Sequence, residues 1–249
     1  MSNADYPDSP RPQGLAPSAA LTTNPASQRA VFAAGLVGLL ASVLVGTAEF
    51  ALHFTPTLDY GGPQYEFFLT AGPGRLNYGH FMAIFSAPLY FVGYWHLFQN
   101  LKPAPEKPRL ALMALGIYSF AVGAVWIGSR VYPAILIQAR EVAVNDAACE
   151  QIDGLLKQAS FFNETILIGL RIGVLGLSAI FVWIVATGRS CYPRWFAAMN
   201  PILLVIACFI IYAVVPAIGG YLMPIAMNVA HFVLFGVSLC LTSSNRGRP

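Results

Sequence analysis

Residues 31–53, VFAAGLVGLLASVLVGTAEFALH, form an apolar stretch long enough to cross a membrane as a helix. A spanning helix needs about 20 mostly apolar residues, and Glu49 and His53 are the only ionisable side chains in this one. Five further stretches have the same character, so the sequence predicts six spanning helices. Those five lie near residues 80–99, 110–132, 163–187, 197–218 and 221–242.

The composition supports the same interpretation. Of the 249 residues, 57% are hydrophobic and 10% are charged, whereas soluble domains carry roughly 25% charged residues. We therefore predict an all-α fold, a polytopic membrane helix bundle with six or seven transmembrane helices. The spans take up most of the chain, so any chemistry must occur inside the bundle or at its mouth. The sequence has no basic cluster suited to binding nucleic acid.

Three regions follow from this pattern. Residues 1–28 are rich in Pro, Ser, Ala and Asn and predict a disordered tail. Residues 29–243 form the predicted bundle, and residues 244–249 a short basic tail.

The basic residues predict the orientation of the bundle. With six spans, nine of them fall on one side of the membrane, so both termini are predicted to be cytoplasmic. They are Arg11, Arg29, Lys102, Lys107, Arg109, Arg189, Arg194, Arg246 and Arg248. The predicted location is multi-pass, in the endoplasmic reticulum membrane of a eukaryote or otherwise in an inner or plasma membrane.

Three connections carry further expectations. Residues 54–79 combine turn formers with aromatic residues and predict a lid over the outer mouth of the bundle. Residues 138–160 have a moderate helical pattern that predicts an extension of the third span or an interfacial segment. Gly219 and Gly220 predict a tight helical hairpin between the fifth and sixth spans.

Seven polar side chains in or at the edges of the spans form the candidate site. Ionisable groups are costly in hydrocarbon, so they line a cavity, pair with each other or carry a function. Counted at about 1.5 Å per helical residue, all seven are predicted in the outer half of the bundle, where they meet in one polar pocket. They are Glu49, His53, Arg130, Glu164, Arg171, Asn228 and His231.

A purely structural role is the alternative for these residues. Two Glu and two Arg can pair with each other and fix the helix packing, and Asn and His often form hydrogen bonds between membrane helices. The uneven placement favours a site, because packing contacts are expected at all depths. In the inner half of the bundle, His96 and Asn200 are the main polar features.

The residue types point to acid–base chemistry. Apolar surroundings favour the neutral form of a carboxyl group, which can then act as a general acid. Glu49 and Glu164 are the candidate acids, and one of them is expected to pair with an Arg. A histidine can accept the proton at the end of the reaction. The predicted partners are a hydrophobic small molecule and the lipid bilayer. No metal or cofactor is expected. The sequence does not predict the oligomeric state.

In size, span content and isolated intramembrane acids, the chain resembles the small integral-membrane terpene cyclases of fungal biosynthetic pathways. The acids that carry the resemblance are Glu49 and Glu164, with their His and Asn neighbours. In those families a buried acid protonates an epoxide or alkene on a prenyl chain, and cyclisation follows. The resemblance implies a metal-free isomerase or lyase acting on a prenylated, meroterpenoid-like substrate. The Trp-Glu pair of the larger cyclase family is absent, so the resemblance assigns no residue a role.

Two other functions stay open. A metal-dependent membrane lipid hydrolase has ligand candidates in Glu49, His53, His80, Glu164 and His231. Ceramidase-type hydrolases, however, carry paired histidines on one late helix, where this chain has only His231. A proton-coupled small-molecule transporter is compatible with helices broken by proline. Transport needs access from both sides of the membrane, and the cytoplasmic half of the chain looks too apolar for that.

Overall fold

The computed structural model describes residues 25–58, 60 and 65–244, and the regular structure in this part of the chain is entirely helical, which confirms the all-α prediction. Three short 3-10 helices lie at Glu66–Thr70, Arg194–Met199 and Met223–Ile225. The α-helices are α1 (Pro25–His53), α2 (Pro73–Ser86), α3 (Leu89–Asn100), α4 (Glu106–Ser129), α5 (Val131–Glu141), α6 (Asp146–Ala186), α7 (Pro201–Val214), α8 (Pro216–Leu222) and α9 (Ala226–Ser244).

Five helical segments are long and apolar enough to cross a membrane, which makes this a multi-pass membrane protein. Several of them join two consecutive helices, such as α2 with α3 and α4 with α5. The five are Ala26–His53, Pro73–Asn100, Glu106–Glu141, Asp146–Ala186 and Pro216–Ser243.

The predicted fifth span, residues 197–218, is the one that differs from expectation. It is divided into the 3-10 helix Arg194–Met199, α7 and the start of α8. Pro201 and Pro216 open α7 and α8, because proline lacks the N–H that a helix interior requires and restricts the residue before it. With 14 residues, α7 is about 21 Å long, which is less than the hydrocarbon thickness of about 30 Å.

The two ends of α7 nevertheless lie at opposite ends of the bundle. Before α7, the backbone N–H of Cys191 donates to the carbonyl oxygen of Lys102 at 3.0 Å. At its far end, the hydroxyl of Tyr212 donates to the carbonyl oxygen of Leu58 at 3.3 Å. The predicted hairpin at Gly219 and Gly220 needs one correction: both glycines lie within α8, where Gly219 packs against the backbone of Tyr212, and the break between α7 and α8 is at Val215.

We expect the substitution Gly219→Ala to destabilise the protein. A Cβ atom at position 219 would overlap the backbone of Tyr212, so α7 and α8 would have to move apart. Overpacking of this kind costs about 1–3 kcal/mol of unfolding free energy. Thermal unfolding in lipid nanodiscs measures the effect, with Gly154→Ala as the matched control because a Cβ there meets no atom within 4 Å. Equal melting temperatures for the two variants would contradict this packing.

The connection 138–160 is mostly helical. α5 continues the third span to Glu141, and α6 begins already at Asp146, so most of this connection extends the fourth span rather than the third. The side chain of Asn145 caps α6 by accepting from the N–H of Ala148 at 2.8 Å. Arg140 and Asp153 then join α5 to α6 through an ion pair.

The predicted tails lie largely outside the described residues. α1 begins at Pro25, so residues 25–28 of the predicted N-terminal tail are helical. Residues 1–24 and 245–249 are not among those described.

Helix α1 is central to the bundle and packs against α2, α3 and α9, while α4 packs against α6. α1 approaches α3 closely at Gly38 and Gly93, where a Cβ on Gly93 would lie 2.7 Å from the Cα of Gly38. Small residues allow such close contact between membrane helices. The largest fully buried side chains include Leu52, Phe68, Tyr90, Tyr94, Phe181, Phe196 and Phe235.

Candidate functional site

Glu49 on α1 is one end of a hydrogen-bonded chain that joins three helices through Asn228. The side chain of Asn228 on α9 donates from Nδ2 to Glu49 Oε2. Tyr90 on α3 donates from its hydroxyl to Asn228 Oδ1 at 2.8 Å. All three side chains are buried. Because the Asn228 oxygen accepts from Tyr90, its nitrogen is directed to the carboxyl group.

His231 lies three residues further along α9 and makes a second contact with α3. Its Nδ1 lies 2.8 Å from the carbonyl oxygen of Met227, which can only accept, so Nδ1 carries a proton. In the neutral ring, Nε2 then accepts from the hydroxyl of Tyr94 at 2.7 Å. Four aromatic rings lie within 6.1 Å of the imidazole, those of Tyr90, Tyr94, Phe120 and Phe235. His231 therefore joins α3 to α9 inside a ring of aromatic side chains.

His53 and Arg130 form a further part of the site, at the C-terminal end of α1. Arg130, at the junction of α4 and α5, donates from Nε to His53 Nε2 at 3.1 Å. His53 Nδ1 lies 3.2 Å from the carbonyl oxygen of Glu49. The guanidinium carbon lies 5.0–5.8 Å from the centres of four rings, those of Tyr65, Phe67, Phe68 and Trp126. Aromatic rings therefore surround this buried cation.

The connection between α1 and α2 covers this end of the site. Phe68, in the 3-10 helix Glu66–Thr70, is fully buried. Gln138 on α5 donates from Nε2 to two backbone carbonyls of the loop, each at 2.8 Å. Arg75 on α2 donates from Nη2 to the carbonyl oxygen of Phe54 at 2.6 Å. The loop is thus fastened to α5 and to the end of α1, although residues 73–79 of the predicted lid belong to α2.

Glu164 and Arg171 on α6 lie outside this cluster, contrary to the sequence-based prediction. Both side chains are exposed, whereas Asn163 is buried and accepts from the hydroxyl of Ser129 at 2.8 Å. Within residues 25–58, 60 and 65–244, the one ion pair joins Arg140 to Asp153. The expected pairing of an intramembrane Glu with an Arg is therefore not found in this part of the chain.

A second buried polar cluster lies at the other end of the bundle, around His96, whose partners Ser238 and Tyr192 the sequence analysis did not identify. His96 on α3 has Nε2 2.8 Å from the hydroxyl of Ser238 on α9 and Nδ1 2.7 Å from the carbonyl oxygen of Val31. The hydroxyl of Tyr192 lies 2.5 Å from that of Ser238. Burial raises the pKa of Tyr192, so its hydroxyl keeps the proton. The available signal was the spacing of Ser238, which lies two helical turns after His231 on the same face.

We expect His96→Ala to lower stability without removing the Glu49 site. The change leaves the carbonyl of Val31 and the hydroxyl of Ser238 without this partner, and an unsatisfied buried group costs about 1–3 kcal/mol. The apparent melting temperature in nanodiscs should fall. An unchanged melting temperature would show that the cluster contributes nothing to holding α1, α3 and α9 together.

Two spaces share Asn228 as a lining residue. One is a small cavity of about 40 Å³, which Glu49, Phe120 and Trp126 also line. The other is an open groove of about 320 Å³ between α1 and α9, and it is called the α1/α9 groove below. Its lining includes Val43, Gly46, Phe50, Val229 and Phe232. The hydrogen-bonded pair of Glu49 and Asn228 thus lies where the groove and the cavity approach each other.

Residues 28–245 of the sequence match the model of DUF6796, a family of unknown function. The chain belongs to this family. The DUF6796 match includes both polar clusters, the cavity and the α1/α9 groove. Neither the curated proteins nor the solved structures compared with the chain gave a match.

A second groove in this DUF6796 protein lies between α5 and α6 and has a volume of about 400 Å³. It is called the α5/α6 groove below. Tyr132, Leu136, Leu155 and Phe162 line it, with Ser129, Gln158 and Asn163 as its polar members. None of the seven predicted site residues lines this groove.

The residues proposed as metal ligands do not come together in this DUF6796 protein. Glu164 is exposed, and His80 Nδ1 lies 2.8 Å from the carbonyl oxygen of Gly128. Among the described residues, no group of three His, Cys, Asp or Glu side chains is placed to hold a metal ion.

Proposed function

We propose that this protein is a membrane-embedded enzyme that performs acid–base chemistry on a hydrophobic substrate, with Glu49 as the acid. The observation that carries the proposal is the position of Asn228, which binds the Glu49 carboxyl group and lines both the α1/α9 groove and the small cavity. A substrate dissolved in the bilayer can reach this pair from the side without passing through water.

The volumes favour a substrate whose chain stays in the groove. Ligand pockets are typically about 300–1,000 Å³, and the α1/α9 groove has about 320 Å³. The cavity beside Glu49 has only about 40 Å³, which is too small for a prenyl chain. The groove lining is apolar apart from Ser42, Thr47 and Asn228. An apolar chain therefore fits the groove, while only the reacting group approaches Glu49.

The leading concrete reaction is proton-initiated cyclisation of a prenylated, meroterpenoid-like substrate. The Glu49 carboxyl group gives its proton to an epoxide oxygen or an alkene carbon, and another double bond of the chain attacks the resulting cation to close a ring. The product cation then returns a proton to the Glu49 carboxylate, so the product is an isomer of the substrate. Phe50 and Phe232 line the groove and Phe120 lines the cavity, and aromatic rings can stabilise the positive charge of such an intermediate.

The direct test of this proposal is product formation. The protein is expressed in a host that supplies prenylated and epoxidised prenyl substrates, and extracts are compared with those of the empty host. We expect a cyclic product with the mass of the substrate. Purified protein that leaves the whole panel of prenyl epoxides and alkenes unchanged would contradict cyclisation.

The proposed topology has six crossings with both termini in the cytoplasm, the fifth crossing being formed by Arg194–Met199 together with α7. The native Cys191 provides a test, because it lies before that crossing, and Ser243 lies in the last turn of α9, after the sixth. In single-cysteine variants that carry Cys191 or Ser243→Cys, a membrane-impermeant maleimide should label both positions only from the cytoplasmic side. Labelling of the two positions from opposite sides would contradict six crossings.

Proton-coupled transport is the second candidate function, and the cluster of His96, Ser238 and Tyr192 favours it. This cluster supplies buried polar groups in the half of the bundle that the sequence analysis took to be apolar. Uptake into proteoliposomes distinguishes the two functions. Transport predicts substrate accumulation that follows an imposed proton gradient, whereas the enzyme predicts chemical conversion that does not depend on a gradient.

A further inference from the structure

Trp126 carries a polar group that the proposed reaction does not use. Its indole N–H is buried and has no hydrogen-bond partner among the described residues, and an unpaired buried donor is costly. The indole ring stacks on His53 with 5.7 Å between ring centres and lies under the guanidinium of Arg130. These contacts hold the indole ring in one orientation, so the unpaired N–H is part of the folded structure of the site.

Trp126 lines the same small cavity as Glu49 and Asn228. Asn228 donates to Oε2 of Glu49, and in the described part of the chain no hydrogen bond reaches Oε1. One cavity is therefore lined by a tryptophan whose N–H is unpaired and by a carboxyl group with an oxygen that accepts no hydrogen bond from the described residues. Its volume of about 40 Å³ exceeds the roughly 10–15 Å³ that a cavity needs to hold one water molecule. The cavity has room for one oxygen atom and the carbon that bears it.

We infer that this cavity is an oxygen subsite, in which the indole N–H of Trp126 donates to a single oxygen atom of the substrate opposite Glu49. The inference rests on the proposed function and narrows its substrate class. The substrate is a hydrophobic chain that carries one small oxygen group, such as an epoxide, a ketone or a hydroxyl. A diphosphate head group is far too large for the cavity, and a hydrocarbon leaves the N–H unpaired.

Binding to wild-type protein in nanodiscs tests the subsite without requiring turnover. The probes are a C15 prenyl epoxide and the C15 prenyl hydrocarbon of the same length. We expect the epoxide to bind about tenfold more tightly, the ratio that one net hydrogen bond supplies. The Trp126→Phe variant should lose this preference and keep its affinity for the hydrocarbon. The exposed Trp195 gives the matched control, since Trp195→Phe should keep the preference.

A spectroscopic measurement on the wild type does not depend on the folding of any variant. The indole N–H band in the ultraviolet resonance Raman spectrum should shift when the epoxide is added and stay unchanged with the hydrocarbon. Equal shifts with both probes, or no shift, would show that the cavity takes water alone and would overturn the subsite. A preference for epoxide that persists in Trp126→Phe would overturn it as well.

Different experimental results would contradict the oxygen subsite and the proposed enzymatic function. Selective binding of the epoxide without any conversion contradicts the enzyme and supports the subsite. Cyclisation by a protein that binds epoxide and hydrocarbon equally supports the enzyme and contradicts the subsite.

Discussion

Replacing Glu49 by Gln should lower turnover by about 10²- to 10⁴-fold, the contribution that a positioned general acid makes. Gln has nearly the same shape and accepts the hydrogen bond from Asn228 Nδ2 through its amide oxygen, so the connection between α1 and α9 is kept. What it cannot do is give up a proton to the substrate. Product formation by purified protein in nanodiscs measures the loss, and binding of the substrate should change little.

Glu164→Gln is the matched control, because the chemical change is the same and the side chain is exposed on α6. We expect near wild-type turnover from this variant. The sequence alone left open which of the two residues is the acid, since both lie in apolar spans. An inactive Glu164→Gln variant together with an active Glu49→Gln variant would show that the acid lies on α6, which would contradict the assignment of Glu49.

Filling the α1/α9 groove should also abolish most activity. Gly46 lines the groove, and a Cβ atom there would lie 3.2 Å from the Cβ of Asn228. A leucine at position 46 places four carbon atoms in the path by which the substrate reaches Glu49. We expect Gly46→Leu to lower kcat/KM at least tenfold, a transition-state loss of about 1.4 kcal/mol or more.

The control for the groove is Ala33→Leu, on the exposed face of the same helix. It adds a comparable apolar side chain outside the groove lining and should leave kcat/KM unchanged. Melting temperatures of both variants separate a blocked path from a damaged fold. Full activity of a folded Gly46→Leu protein would mean that the substrate arrives by another route.

Hydropathy predicted most of the bundle because length and apolar character are sufficient to identify a spanning helix. The end of α1 at His53 follows directly from the sequence, and so does the meeting of Glu49 with Asn228 in the buried interior. The prediction of one continuous helix for the fifth span was wrong, because Pro201 and Pro216 each start a new helix. Apolar composition alone does not distinguish a continuous helix from a broken one.

The wrong predictions have a common physical cause, which is that the sequence does not show which face of a helix meets the interior of the bundle. Seven-residue spacing puts Glu164 and Arg171 on one face of α6, but it does not tell whether that face meets lipid or the bundle. Nothing in the sequence singles out Tyr90 and Tyr94, because a hydroxyl in an apolar span has no sequence pattern of its own. Only the contacts between α1, α3 and α9 reveal which of these polar atoms face the site.

Photo-crosslinking tests the central claim most directly, namely that a hydrophobic substrate reaches Glu49 through the α1/α9 groove. A prenyl epoxide bearing a diazirine is irradiated with the protein in nanodiscs, and the labelled residues are mapped by mass spectrometry. We predict labels on the groove residues Val43, Phe50 and Phe232, with competition by unlabelled epoxide. Labels confined to the α5/α6 groove, at Tyr132, Leu155 and Phe162, would contradict the account.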